Sequence, residues 1–266
     1  MKNKVNIVPY DPSWPKEYQN IESRIKNALG DNICQIHHVG STSVPGLASK
    51  HKIDVCLQVN DAQLAVKALE QIGFEYKGEW SIPFKYGFRY RHEISINLHM
   101  FDFGHPAIQS NLMFRDFLRN NESERQEYEK LKYKIAKEED SHDKDQSFLY
   151  NYTIKKANFI HEVIKKTDFD GIYLQYCATP MEKDFVNQMR LKNNVKELKN
   201  NEFFIDNQRH FVLYHGVKIC GYANLELRND DYITTIRSTI LAKYELEFKQ
   251  LLLQWCISSV FSGGSR

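Results

Sequence analysis

The stretch HHVGSTSVPGLASKHKIDVCLQV, residues 37–59, collects residue types that can handle phosphate. Gly40 lets a backbone approach a ligand closely, Ser41 and Thr42 offer hydroxyls beside amide N–H groups, and Lys50 and Lys52 add positive charge. Asp54 follows inside an apolar strand, where alternation places Ile53, Val55, Leu57 and Val59 on one face and Asp54, Cys56 and Gln58 on the other. The same rule applied to ISINLHMF groups Ile94, Ile96, Leu98 and Met100, leaving Ser95, Asn97, His99 and Phe101 opposite. If the two strands are neighbours, Asp54 and His99 share a face and could hold one divalent ion, Mg²⁺ or Mn²⁺. Phosphate transfer needs little beyond phosphate donors, a metal-binding carboxylate and a positioned nucleophile. The same residues also make ordinary loop chemistry, with an aspartate turned to solvent and His37, His38 and His99 as plain packed histidines. Both readings stand open on pattern alone.

Such a site must be positioned by regular elements. After KVNIVPY, Ser13 precedes WPKEYQNIESRIKNAL, where Tyr18, Ile21, Ile25, Ala28 and Leu29 recur at helical spacing and Gly30 marks the stop. DAQLAVKALEQIG reads as a second helix, with Asp61 as N-cap and Gly73 past its end. FEYKGEW, YGFRYR and ISINLHMF read as strands joined by short turns, completing a mixed sheet. The charged segments between 107 and 166 carry apolar residues at helical spacing and should pack across that sheet.

KTDFDG reads as a linker between a first domain, 1–166, and a second, 171–266. The second begins with the strand IYLQYC and the helix TPMEKDFVNQMR, where Thr179, Pro180 and Glu182 form a capping-box pattern. RHFVLYH, VKICGYANLEL and YITTIRSTIL follow as strands, the first two turning at His215-Gly216, and KYELEFKQLLLQWC ends the pattern as a helix before the polar tail SGGSR. The fold class is therefore α/β (α+β) in two parts.

The 266 residues carry a net charge of +2, which predicts no nucleic-acid partner, and the cysteines lie too far apart for a disulfide framework or a thiolate zinc site. No apolar run approaches the roughly 20 residues that cross a bilayer, and the N-terminus has no signal-peptide pattern, so a soluble cytoplasmic protein without a membrane partner is expected.

HVGSTSVPGLASKHKIDV, INLHMF, LMFRDFLRNN, YEKLKYKIA and YNYTIKKANFI occur in the order found in the GrpB family, and the chain resembles that family over about residues 5–165. The family is similar in fold to polymerase β-type nucleotidyltransferases, whose signature is a Gly-Ser turn, a spacer, a strand with two alternate acids and a third acid on a later strand. Gly40, Ser41 and Asp54 match it; Cys56 stands at the second acid and His99 on the strand expected to bear the third. The resemblance implies a bound nucleotide or other phosphorylated small molecule, with either one divalent ion on a catalytic Asp54 and His99 in place of two-metal transfer, or nucleotide binding without turnover. His38, Thr42, Pro45, Gly46, Lys50, Arg115, Asp116, Arg119, Lys132 and Lys155 also match family motifs. Arg115 and Arg119, one helical turn apart, face either a phosphate or the nearby acids Asp116 and Glu122.

The second part resembles the front of a GNAT acyltransferase fold. In place of the small residues that bring a pyrophosphate onto backbone N–H groups, it has Leu246 and Phe248. Acetyl transfer is therefore disfavoured, and the expected role is packing or homo-oligomer formation through an exposed sheet edge. A non-catalytic ligand-binding or interaction module remains the alternative for the whole chain.

Overall fold

A computed structural model describes residues 6–79, 82–91, 95–139, 148–204, 208–226, 236–240 and 245–261. Expectations placed on Ile94, on the outer parts of YITTIRSTIL and on the tail SGGSR lie outside those residues. The chain divides into two compact units, one of Met1–Gly78 with Lys85–Phe169, the other of Glu79–Phe84 with Asp170–Arg266.

The first unit is built on a mixed five-stranded sheet. Its strands are β1 (Ile33–Val39), β2 (Lys52–Val59), β3 (Glu75–Tyr76), β4 (Tyr86–Arg91) and β5 (Ser95–Asp102), in the order β1-β2-β5-β4-β3. β2 and β5 run parallel, whereas the pairs β1–β2, β4–β5 and β3–β4 are antiparallel. One sheet face is apolar: Ile53, Val55, Leu57 and Val59 of β2 and Ile96, Leu98 and Met100 of β5 are fully buried with Phe88. They pack against Trp14, Ile21, Ile25 and Leu29 of α1 (Trp14–Leu29) and against Ala62, Ala65 and Leu69 of α2 (Ala62–Gln71). Asp61 caps α2 by accepting from Leu64 N at 3.0 Å. Ser13 precedes α1 without capping it; its hydroxyl donates instead to Glu17 at 3.2 Å.

The three remaining helices of this unit are α3 (Ala107–Asn120), α4 (Glu122–Glu139) and α5 (Phe148–Lys165). α3 packs on β1 and β2, and Leu118 and Tyr128 close a small core with Val44 and Leu47 of the loop between those strands. That second core holds the Gly40 loop against the helices.

The second unit has the antiparallel order β6-β7-β8-β9, made of β6 (Ile172–Tyr176), β7 (Gln208–His215), β8 (Lys218–Glu226) and β9 (Ile236–Ile240), with α6 (Pro180–Lys192) and α7 (Glu245–Phe261). The capping box forms as its residues predict, Thr179 and Glu182 each bonding the other's backbone N–H. Glu79, which the sequence places in the strand segment FEYKGEW of the first domain, belongs with the rest of Glu79–Phe84 to this unit: it is buried and accepts from Trp255 Nε1 at 3.2 Å, from Phe84 N at 2.8 Å and from the Tyr176 hydroxyl. β3 is accordingly only two residues long. Among the described residues no helix is long and apolar enough to cross a membrane.

Candidate functional site

Strand register decides what meets what. In the parallel pair β2–β5, Asp54 lies opposite Asn97 and Cys56 opposite His99, so all four belong to the face turned away from the α1–α2 core. Asn97 Nδ2 donates to Asp54 Oδ1 at 2.9 Å, and His99 Nε2 stands 3.7 Å from the same oxygen. On the next strand Arg89 pairs with Asn97 and joins that face. Asp54 and His99 therefore come together as alternation predicts. Asn97, on the same face by the same alternation, adds the amide that no phosphate or metal motif announces.

The loop is fitted to Asp54 from the other side. Gly40 has φ +69°, and a Cβ placed on it would lie 2.5 Å from Asp54 Oδ2, so only glycine permits this approach. A short 3-10 turn follows over Ser41–Ser43. The Ser43 hydroxyl donates back to Gly40 O at 2.6 Å, and Val44 N to Ser41 O at 3.2 Å.

Thr42 points inward, which differs from its expected place on a phosphate. It is fully buried, its hydroxyl donates to Lys52 O at 3.2 Å, and it bonds His38 Nε2 at 3.0 Å. Because the single hydroxyl proton goes to Lys52 O, Nε2 carries the proton that bonds Thr42 Oγ1. Burial, with Arg119 and Arg115 nearby, pushes the His38 pKa down to about 4, so this ring is a neutral strut, stacked on Tyr18 at 4.7 Å. Among the described residues the Ser41 hydroxyl has no hydrogen-bond partner.

Arg115 and Arg119 settle on the loop rather than standing side by side over an open cleft. Arg115 Nη1 donates to His38 O at 3.0 Å, and Arg119 donates through Nε and Nη2 to Ser43 O at 3.0 and 2.7 Å. Asp116 accepts from both guanidinium groups. The two arginines thus stitch α3 to the turn, and both pair with Asp116, one of the acids the sequence places near them.

Positive charge reaches Asp54 from elsewhere. Burial pushes the Lys50 pKa down to about 8, helped by Lys156 and Lys52 and opposed by Asp54. Burial lowers Lys156 on α5 to about 8 as well, again with Asp54 pulling the other way and Lys52 adding repulsion. Lys132 is driven to about 7 by burial and by Lys156, while its ammonium donates to Ala48 O. Lys155, the lysine singled out from sequence, points outward and pairs with Glu138 at 3.3 Å. Lys85, nearly fully buried, completes the set by acting on His99.

These charges set the protonation of the acid and the imidazole. Burial works to raise Asp54, but His99, the Asn97 amide and Lys52 outweigh it and hold the carboxyl below its usual range. Burial, supported by Lys85, lowers His99 despite Asp54 beside it. The pair at neutral pH is a carboxylate next to a neutral imidazole. Cys56 is buried and its thiol is pushed up to about 12, so it stands protonated beside Asp54. Among the described residues no group of three or more His, Cys, Asp or Glu side chains could hold a metal ion.

The model of the family described as GrpB protein matches residues 4–166. A UPF0157 protein of Halalkalibacterium halodurans is 34% identical over 167 residues, covering 62% of this chain and 83% of that protein. A UPF0157 protein of Bacillus subtilis is 35% identical over 142 residues, 51% of this chain and only 40% of the relative. Among solved structures, the conserved protein GrpB from Enterococcus faecalis superposes with a TM-score of 0.54 at 28% identity, covering 60% of this chain and 96% of its own.

Proposed function

The chain belongs to the GrpB family, and from that premise we propose that its first unit binds a nucleotide or another phosphorylated small molecule in the basin around Asp54. The observation that carries this reading is the convergence of Lys50, Lys52 and Lys156 on one partly buried carboxylate, against their mutual repulsion. Partly buried like charges oppose folding, and a bound phosphate relieves that opposition as it docks. Ser41 offers the hydroxyl that Thr42 cannot, and the arginine-pinned loop holds it in place.

A divalent ion fits in one form only. Two donors at about 2.1 Å from an ion lie at most about 4.2 Å apart, so Asp54 and His99 can share one. Water and ligand phosphates would fill the other positions, and the ion would supply charge neutralisation and phosphate orientation. Cys56 supplies no oxygen ligand for a second Mg²⁺. Nucleotidyl transfer is thus a second reading, in a one-ion form favoured by the 3.7 Å separation. The second unit, with Phe248 filling its core where a GNAT-like phosphate loop needs a small side chain, is read as a packing or self-association module.

Calorimetric titration of the full chain with pyrophosphate and with ATP, each with and without Mg²⁺, tests these readings. Pyrophosphate should bind without metal, about tenfold more weakly in Lys156→Ala and more weakly as salt rises. Asp54→Asn discriminates: metal-free affinity should rise as the lone negative charge goes, whereas Mg²⁺-ATP affinity should fall if the ion bridges. Absence of binding by both ligands under every condition overturns the proposal.

A further inference from the structure

At the far end of the same sheet face lies a groove of about 770 Å³ with a different chemistry. Gln58, four residues beyond Asp54 on β2 and so about 13 Å along the strand, forms its floor with Gln35, its register partner on β1. Cys56, fully buried, lies between Gln58 and Asp54 on β2, so the groove and the basin are separate openings. One side of the groove is Phe103, carried on the turn that ends β5. His105 N bonds Asp102 O at 3.4 Å, and Gly104 at φ +85° lets the turn project Phe103, which is 76% exposed.

Three of the four ionisable side chains that line this groove are already engaged, and the fourth, Asp168, is exposed. Asp116 is held by Arg115 and Arg119, Lys166 pairs with Glu124, and His105 Nδ1 accepts the Ala107 N–H at 3.2 Å, capping the start of α3. Apart from Asp168, what faces the opening is neutral. Gln58 is 4% exposed, yet among the described residues it makes a single hydrogen bond, Nε2 to Asp102 O at 3.4 Å. A primary amide can donate two and accept two, so this near-buried group has capacity left over. Gln109 and Asn120 add two more amides at the rim.

We propose that this groove is a second binding site, for an uncharged planar heterocycle with a mixed donor and acceptor edge, a nucleobase presented as its nucleoside. The exposed Phe103 ring stacks on its face and the Gln58 amide reads its edge. A simple apolar ring leaves the Gln58 amide unsatisfied and is discriminated against. The site does not depend on phosphate binding at Asp54.

The test uses the full chain and phosphate-free probes: adenosine and uridine, with toluene as the ring lacking a polar edge, observed by saturation-transfer NMR and calorimetry. At least one nucleoside should bind, toluene should not compete with it, and Phe103→Ser should weaken it at least tenfold. Phe103 lies on an exposed turn, so that variant keeps its fold; Gln58→Leu should give a similar loss. Saturating pyrophosphate should leave nucleoside binding unchanged. Failure of both nucleosides to bind, equal affinity in Phe103→Ser, or displacement by pyrophosphate overturns the proposal. A protein that ignores pyrophosphate but binds a nucleoside would defeat the phosphate reading alone.

Discussion

Asp54 in the first unit and Glu182 in the second are both acids set into folded structure, and their surroundings assign them opposite tasks. Glu182 is 3% exposed and closed on every side: Oε2 accepts from Ala178 N and Thr179 N at 2.8 Å each, and Oε1 from the Tyr214 hydroxyl at 2.9 Å. Glu79 is treated alike by Trp255, Phe84 and Tyr176. Asp54 receives one amide from Asn97, presses on a glycine, and otherwise looks at an imidazole and lysines. A carboxylate saturated with neutral donors is part of the architecture. A carboxylate at the edge of repelling cations leaves work for a ligand.

The largest expected effect breaks the closed member of that comparison. Glu182→Leu removes both capping bonds and strands the Tyr214 hydroxyl, whose pKa burial and Glu182 now raise. Loss of about 3 kcal/mol is expected, in the range for breaking a buried, fully bonded carboxylate. Urea unfolding followed by the fluorescence of Trp255, in the same unit, reads it. Pyrophosphate affinity of the first unit should stay within a factor of two, and a fall comparable to that of Lys156→Ala would erase the distinction drawn here.

A smaller effect, of opposite sign, comes from the open member. Lys156→Met removes one of the repelling cations, so stability at pH 7 should hold or rise by up to about 1 kcal/mol. The pH dependence follows from the same residues. Lys50 and Lys156 have folded pKa values near 8 against an ordinary value of 10.5, so between these the unfolded chain binds more protons. Stability contributed by these groups therefore increases as pH rises from about 8 toward 10.5, while phosphate affinity falls as the ammonium charges are lost. Unfolding and titration curves at pH 7, 8 and 9 should diverge in the wild type and diverge less in Lys156→Met.

Which of these features a sequence reveals depends on how local the deciding physics is. Strand alternation has period two and needs only neighbouring residues, so the shared face of Asp54 and His99 was legible once β2 and β5 were paired, and Asn97 with it. The Thr179–Glu182 capping box was legible for the same reason. That Lys156 turns inward beside Lys155 was not, since both sit on one helix and only the packing of α5 decides which side faces Asp54. Ser41 and Thr42 read alike as phosphate donors on the loop; the partner that turns Thr42 in, Lys52 O, lies ten residues on. Glu79 reads as part of the strand segment FEYKGEW, and nothing nearby announces that Trp255 will take its carboxylate.

The comparison sharpens to its finest scale in two adjacent hydroxyls. Thr42 bridges His38 Nε2 and Lys52 O inside the protein, whereas Ser41 is half-buried with its hydroxyl unused among the described residues. Thr42→Val keeps the shape and removes the bridge, leaving a neutral imidazole N–H and a backbone carbonyl without that partner, which should cost about 1–2 kcal/mol of stability and leave pyrophosphate affinity nearly unchanged. Ser41→Ala should do the reverse, with stability within about 0.5 kcal/mol of wild type and affinity weaker by about threefold, the loss of one hydrogen bond to an anion that lysines still hold. Paired unfolding and calorimetry on the two variants separate the cases. If Thr42→Val proves to be the binding variant and Ser41→Ala the unstable one, the loop opens on ligand binding and its ligand-free hydrogen bonds are not those of the complex.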